Sequence, residues 1–492
     1  MQNFITGMNI FSITRDLRDR KMKFSFIRIP EVFTQYDLFG SSQGVRSTYP
    51  PLGLEYIGAS LEREGHKVVI IDLGAEEVSK QSLTKTLVTS DAVGMSVYID
   101  NYQTAAKVAQ SIKEVAPDVP LIIGGPHCTL MKDSVFTQIP AADIAVELEG
   151  ELVILEIAKF LQGTKDLSEI SGINYREKSQ IKSGRPLQVI PDLDALPFPA
   201  RHLTEKYDYG NFKGGIRPRK KFTTMITSRG CPFKCRYCTR YGNIEGWRFR
   251  RRSPNNIIQE MQQISEKYKS VMIVDDSFLA DTKAAQYIMD SLIALKLDLE
   301  LHVLGARVDS AEPELYKKMK KAGVRSITFG IESGNQDVLD YYHKHITVPQ
   351  IRTAVHLARD MDFITQGFFI FGAPFETKKH INNTIKLATS LPFDTVVFQP
   401  LEYEIGSDLW EETVQEKKIS RDEITLFADS RRGLGNFTID ELREFVKKGY
   451  RRFYLNPRYF SRLFFGALRH RNLEHVKSVV RLIRSPYVMK LT

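Results

Sequence analysis

Four cysteines occur in the 492 residues, and three of them stand within one short run, Cys231, Cys235 and Cys238 in CPFKCRYC. Thiolates grouped this closely are metal ligands by type. Zinc asks for four ligands, usually as two separated pairs. No second pair exists here, so His202 or Cys128 would have to be recruited from afar. An iron–sulfur cluster suits thiolates and usually takes four, so three would leave one iron open to a substrate. Spacing alone leaves both readings standing. Cys128 has no neighbouring cysteine and reads as a small buried hydrophobe.

Other candidate residues gather where apolar runs end. Ser96 follows AVGMS, Gly124-Gly125-Pro126-His127 follows PLII, and Glu149-Gly150 follows DIAVE. Further along, Asp275-Asp276, Arg307, Glu332-Ser333 and Gly372 close four more such runs. Glycine there lets a ligand approach the backbone, and polar groups at strand ends line ligand crevices. His127 has two readings, a loop residue bonded to backbone or a metal ligand. Arg250-Arg251-Arg252 reads either as a phosphate or carboxylate contact or as a solvated basic turn.

The elements that must position these residues follow from the apolar rhythm. Strands are expected at 23–29, 67–72, 92–98, 119–123 and 143–147, with helices at 52–64, 76–88, 101–115 and 151–161. Apolar runs of this length alternating with helices predict a five-stranded, doubly wound parallel sheet. After an extended, proline-spaced connection, strands at 222–228, 270–275, 301–306, 324–330, 364–371 and 394–399 alternate with amphipathic stretches. Six such units predict a partial (β/α)6 barrel with its chemistry at the carboxyl ends. Ser253-Pro254 and Gly323 are the matching helix start and stop.

The composition is that of a globular chain: 42% hydrophobic and 26% charged, with no apolar stretch long enough to span a bilayer. Four cysteines exclude a disulfide scaffold. The net charge of +10 is confined to the end of the chain. Residues 441–492 hold 13 Lys and Arg against 3 acids, and the remainder is balanced.

Taken together, these motifs are recognisable. YPPLGLEYIGASLEREGHKVVIID, SDAVGMSV and PLIIGGPHCTL resemble the cobalamin-binding domain upstream of many radical S-adenosylmethionine (SAM) enzymes, and CxxxCxxC with an aromatic Tyr237 resembles the radical SAM cluster loop. The resemblance implies a [4Fe–4S] cluster on Cys231, Cys235 and Cys238. It implies SAM contacts at Tyr237, Asp276, Arg307, Glu332, Ser333 and Gly372, and cobalamin contacts at Ser96, Gly124, Gly125, Pro126, His127, Glu149 and Gly150. The cobalt-ligating DxHxxG is absent after the first strand, so a base-off cobalamin without a histidine ligand is implied. Leu148 and Phe375 stand where relatives tend to carry glycine.

The implied activity is a cobalamin-dependent radical SAM methyltransferase acting on an unactivated carbon after hydrogen abstraction by a 5′-deoxyadenosyl radical. The rival reading is a cyclisation, hydration or rearrangement with the same cofactors. An electron donor such as flavodoxin or ferredoxin is expected, with a peptide side chain, lipid, tetrapyrrole or small metabolite as substrate and no nucleic acid. The expected organisation is an extension at 1–22, a cobalamin domain at 23–165, a linker at 166–215, the radical SAM core at 216–420 and a basic helical region at 421–492. That last region reads as a helical cap, as a peripheral membrane contact or as a nucleic-acid patch. The lack of a secretory signal predicts a cytoplasmic protein.

Overall fold

The computed structural model describes residues 20–29, 49–76, 80–210, 218–239, 241, 244 and 247–470. The expected N-terminal extension therefore lies almost wholly outside the described residues, as do the loop after the first strand and the chain beyond 470. Two compact units divide between Tyr209 and Gly210.

The first unit runs β1 (Lys23–Arg28), α1 (Leu52–Arg63), β2 (Lys67–Asp72), α2 (Lys80–Val88), β3 (Ala92–Ser96), α3 (Tyr102–Val115), β4 (Leu121–Gly124), α4 (Pro126–Met131), α5 (Val135–Gln138), β5 (Ile144–Val146) and α6 (Gly150–Leu161). These five strands are parallel, in the order β2-β1-β3-β4-β5. Successive residues serve opposite layers. Phe24, Phe26, Ile122 and Ile144 pack with Leu54, Leu61 and Ile157 of α1 and α6, whereas Ile27, Val93, Leu121 and Ile123 pack with Ala105, Ala109 and Ile112 of α3. Both faces being covered is why the strands read as unbroken apolar runs.

The stretch expected as an extended connection does more than connect. β6 (Ile173–Glu177) and β7 (Gln180–Ser183) form a hairpin that continues the sheet antiparallel from β5. Its turn has Lys178 at φ +55° in place of the usual glycine or asparagine, and β7 is largely exposed, so neither turn chemistry nor apolar pattern announces it.

The second unit holds six parallel strands in the order β15-β14-β13-β12-β11-β8: β8 (Phe222–Met225), β11 (Ser270–Ile273), β12 (Glu300–Ala306), β13 (Val324–Glu332), β14 (Ile364–Phe371) and β15 (Thr395–Pro400). The two-residue strands β9 (Ser228–Arg229) and β10 (Arg250–Arg251) pair beside the first of them. Helices α7 (Pro254–Lys267), α8 (Thr282–Leu295), α9 (Pro313–Lys321), α10 (Gln336–Tyr341), α11 (Val348–Asp360), α12 (Lys378–Ser390), α13 (Asp408–Gln415), α14 (Ile439–Tyr454) and α15 (Pro457–His470) complete the unit. Ser253 caps α7, accepting from Asn256 N.

The aromatic residues of the C-terminal helices have a definite task. β15 is an edge strand, and an edge exposes unpaired backbone groups. Tyr450 Oη accepts from Phe398 N at 2.9 Å, Tyr454 Oη accepts from Val396 N at 3.3 Å, and Tyr459 Oη donates to Asp394 O at 3.0 Å. The helical-cap reading of the tail thus describes α14 and the start of α15. Among the described residues, no helix is long and apolar enough to cross a membrane.

Candidate active site

The cysteine loop begins just past β8 and is fastened there before it turns. Asp275, two residues beyond β11's end and fully buried, accepts from Thr227 N at 2.6 Å, from Thr227 Oγ1 at 2.5 Å and from Ser228 Oγ at 2.6 Å. Burial pushes its carboxyl above the usual range, and those bonds work against the rise. Asp275 is therefore committed to holding the loop. Its neighbour Asp276 is solvent-accessible, and desolvation in its recess raises its carboxyl too.

Cys235 is buried, while Cys231 and Cys238 reach the surface. The Cys238 thiol is pushed up to about 12, first by desolvation and then by the nearby Cys235, and the Cys231 thiol is raised chiefly by desolvation. As thiols Cys231 and Cys238 hold their protons, and as thiolates the three sulfurs repel one another. A polycationic iron core removes both penalties, so this donor set fits a cluster. Among the described residues, no three His, Cys, Asp or Glu side chains converge on a place for a single ion. Cys128, wholly buried, has its thiol pushed far up by desolvation and is inert.

Beside the loop lies a buried polar cluster that includes a residue sequence reasoning missed. Tyr237 Oη donates to Glu332 Oε1 at 2.9 Å, and Lys344 Nζ donates to Glu332 Oε1 at 2.8 Å and to Tyr237 Oη at 3.1 Å. Burial works to lower the Lys344 ammonium, but the charges of Glu332 and Cys235 outweigh it and hold it above the ordinary range. Three non-glycine residues here adopt left-handed backbone: Glu332 at φ +67°, His343 at +50° and His345 at +53°. Strain of this kind costs about 1–3 kcal/mol per residue and persists where the surroundings over-determine it. Tyr342, Lys344 and Ile346 are buried in alternation with exposed His343 and His345, an alternation the folded chain shows and the sequence alone does not announce.

The other SAM-side candidates divide by role. The Arg307 guanidinium stacks 3.7 Å above the Phe233 ring, donates to Asp309, and donates to Lys344 O at 2.7 Å. It braces both the cysteine loop and the Lys344 turn. Ser333 is fully buried, its Oγ accepting from Asn335 N and bonded to Thr384 Oγ1, so it shapes the turn after β13. Gly372 sits at φ +114°, and a Cβ there would meet Leu442 Cδ1 at 3.0 Å. Glu376 Oε2 accepts from Gly372 N at 2.5 Å and Ala373 N at 2.9 Å, closing that turn. The arginine triplet is no solvated turn. Arg252 forms a buried ion pair with Glu260, Arg250 stacks on Trp247, and Arg251 donates to Phe278 O at 2.7 Å.

In the first unit, Ser96 and Gly124 pair in register at the ends of β3 and β4. Gly125 follows at φ +102°, and a Cβ there would lie 2.9 Å from Val97 O and 3.1 Å from Ser96 Oγ, so only glycine permits this approach. Pro126 opens α4 and is partly exposed. His127 is wholly buried, stacked on Tyr102 at 4.8 Å with Nε2 bonded to Gln138 Oε1. Burial lowers its imidazole, so it stays neutral as a packed strut. Glu149 is buried, its Oε2 accepting from Ile190 N at 2.8 Å, and Gly150 begins α6. Leu148 takes φ +59°, the conformation glycine would adopt without strain.

The sequence matches the Radical SAM superfamily over residues 225–388 and the B12 binding domain over 44–158. It is 31% identical to an uncharacterised methyltransferase of Pyrococcus horikoshii, over 84% of this chain and 90% of that one. It is 25% identical to an anaerobic magnesium-protoporphyrin IX monomethyl ester cyclase of Cereibacter sphaeroides, over 87% and 71%. The fold is similar to that of the radical SAM methyltransferase TsrM of Kitasatospora setae, solved with cobalamin and a [4Fe–4S] cluster, at TM-score 0.64 and 15% identity over 81% and 75% of the two chains. With a three-cysteine loop braced at a barrel strand end and Gly125 packed against Ser96 at the strand ends of a doubly wound sheet, the chain belongs to the cobalamin-dependent radical SAM methyltransferase family, whose cofactors are a [4Fe–4S] cluster, SAM and cobalamin.

Proposed function

We propose that this enzyme methylates an unactivated carbon, with the site residues divided as follows. Cys231, Cys235 and Cys238 hold the cluster, Asp276 takes the SAM amino group, Lys344 and Glu332 face its carboxylate end, and Gly372 admits the adenine. Ser96, Gly124, Gly125, Pro126 and the Glu149-Gly150 turn hold the cobalamin tail, with no histidine on cobalt. When bound, these groups supply radical hydrogen abstraction and a transferable methyl group. The residues 23–165 and 216–420 are the two functional modules.

The chain's own part is positioning and charge. Lys344 offers a fixed cation, held by Glu332 and Tyr237, to a carboxylate brought beside it. Asp275 keeps the cysteine loop in register with β11, and Arg307 packs under Phe233 of that loop. The observation that carries the reading is this bracing of the three-cysteine loop in a chain that also packs Gly125 closely on Ser96 at the strand ends of the first unit. The reading includes a flavodoxin- or ferredoxin-type donor, since the family needs a reductant, and a cytoplasmic setting, where thiols stay reduced.

Reconstituted protein, given reductant, a cell extract and methyl-labelled SAM, should form both 5′-deoxyadenosine and S-adenosylhomocysteine, with label on a carbon of one extract component. Formation of 5′-deoxyadenosine with a new product but no S-adenosylhomocysteine would favour the cyclisation or rearrangement reading, to which the Cereibacter relative lends support. The Co(II) form should show no superhyperfine splitting from a protein nitrogen.

A further inference from the structure

We infer that the methyl acceptor is held through an uncharged amide group, which binds on Thr328, Gln366 and Thr395 within the second unit's sheet. The inference deepens the proposed methyl transfer and rests on it for calling this ligand the methyl acceptor. The helices of the unit pack on one face of the sheet, where Ile327, Phe329, Phe369, Val396 and Phe398 join the main core. Alternate strand residues turn to the opposite face. There the parallel register aligns Thr328, Gln366 and Thr395 in one row across β13, β14 and β15. Gly330, Phe368 and Val397 form the next row toward the carboxyl ends.

This face is a recess that runs up to the cysteine-loop site. Gln366, Phe368 and Val397 are half-buried, while Thr328 and Thr395 beside them are only 4% and 2% exposed. A flat, open sheet face would leave the two threonines in water. At Gly330 a Cβ would meet Glu332 Oε1 at 2.6 Å and Lys344 Nζ at 3.0 Å, so the second row borders the buried ion pair directly.

The hydrogen-bonding capacity of the first row is unspent. Thr395 Oγ1 is buried and has no partner. The side chains of Thr328 and Gln366 make no hydrogen bond to any described residue. A buried hydroxyl left unmet is costly, and a ligand that meets it removes that cost. Ionisable groups flank the two rows but do not enter them. Toward the strand starts, His302 Nδ1 is bonded to Ser326 Oγ at 2.7 Å and Nε2 lies 3.0 Å from Glu300 Oε1; toward the strand ends, Glu332 pairs with Lys344. A carboxylate or ammonium brought to these rows would be desolvated with no counter-charge. A neutral amide escapes that penalty. Its C=O and N–H answer both arms of the Gln366 carboxamide at once, the threonine hydroxyls meet what remains, and Phe368 and Val397 cover the apolar part beyond. An alcohol would answer only one arm of Gln366 at a time.

Benzamide, benzoate and benzamidine share one shape and differ in charge, and equilibrium dialysis against the reconstituted holoenzyme with SAM measures the binding of each. Benzamide should bind saturably, and both ions should bind at least about tenfold more weakly. Gln366→Leu and Thr395→Val should each weaken benzamide about 3- to 10-fold, with iron content and SAM binding unchanged. Gln366→Glu, which puts an anion into the row, should reverse the order and favour benzamidine. Absence of saturable benzamide binding, equal binding of either ion, or wild-type benzamide affinity in Gln366→Leu or Thr395→Val would overturn the inference. The readout does not depend on turnover. Benzamide selectivity retained in an enzyme that transfers no label from methyl-labelled SAM would count against methyl transfer and leave the amide site standing.

Discussion

Glu376 gives the sharpest quantitative test of how the barrel's strand-end turns are held. Its side chain is fully buried, Oε2 accepts from Gly372 N and Ala373 N, and Oε1 has no partner. Desolvation pushes its carboxyl up to about 7 from the ordinary 4.5, against those two backbone bonds. The folded state therefore keeps this proton over a range where the unfolded chain has lost it. The resulting stability is fully present below pH 4.5 and disappears as pH rises through 7. At about 1.4 kcal/mol per pH unit, the loss is roughly 3 kcal/mol. Glu376→Gln keeps a carbonyl for both N–H donors but has no proton to lose. Urea unfolding followed by tryptophan fluorescence isolates this unit, because Trp247 and Trp410 both belong to it. The variant should match wild type near pH 4 and exceed it by roughly 3 kcal/mol near pH 8. Parallel curves across this range would refute the reasoning. Glu376→Ala, which leaves the N–H groups of Gly372 and Ala373 unmet, should be less stable than Glu376→Gln at every pH.

Three further outcomes follow from the same geometry. Replacing Cys231, Cys235 and Cys238 together by Ala should abolish iron and sulfide binding on anaerobic reconstitution, whereas Cys128→Ala should leave it intact; iron analysis and electron paramagnetic resonance decide. Lys344→Met strands Glu332 in a buried site, which should cost about 3–5 kcal/mol in urea unfolding; Lys344→Arg, which retains the charge, should bind SAM in equilibrium dialysis within about tenfold of wild type, and binding lost with Arg but kept with Met would contradict the assigned role. Gly125→Ala combines a left-handed backbone with a 2.9 Å approach to Val97 O. It should destabilise the first unit by about 1–3 kcal/mol and lower cobalamin retained on gel filtration, while cluster loading stays unchanged.

Why some of this was readable from sequence and some was not follows from the range of the interactions involved. β2 and β14 occupy the stretches their apolar runs predict because those strands are largely buried, which leaves little room for polar residues. The β6–β7 hairpin escaped because it adds a half-solvated edge, where burial constrains composition weakly. At the site, pattern locates a strand end but not which of two adjacent polar residues serves the fold. Asp275 and Asp276 are equivalent in one dimension, yet the three donors on Thr227 and Ser228 select Asp275 for the loop and leave Asp276 accessible. Ser333 and His127 likewise stand at strand ends and prove to be packed within their turns.

Lys344 shows the same limit from the other side. Nothing local favours a buried lysine between two left-handed histidines, and propensity argues against all three conformations. They persist because Glu332, Tyr237 and the carbonyl bond from Arg307 fix the ammonium and its turn together. Glu332 lies 12 residues upstream, Arg307 37 and Tyr237 107, so only the folded unit assembles the determinants of that conformation. Local strain at Glu332, His343 and His345 is the cost of a cation placed beside the cysteine loop. Of the seven left-handed non-glycine residues described in this unit, these three belong to or flank the same buried ion pair, Lys344–Glu332, and there the surroundings over-determine the backbone.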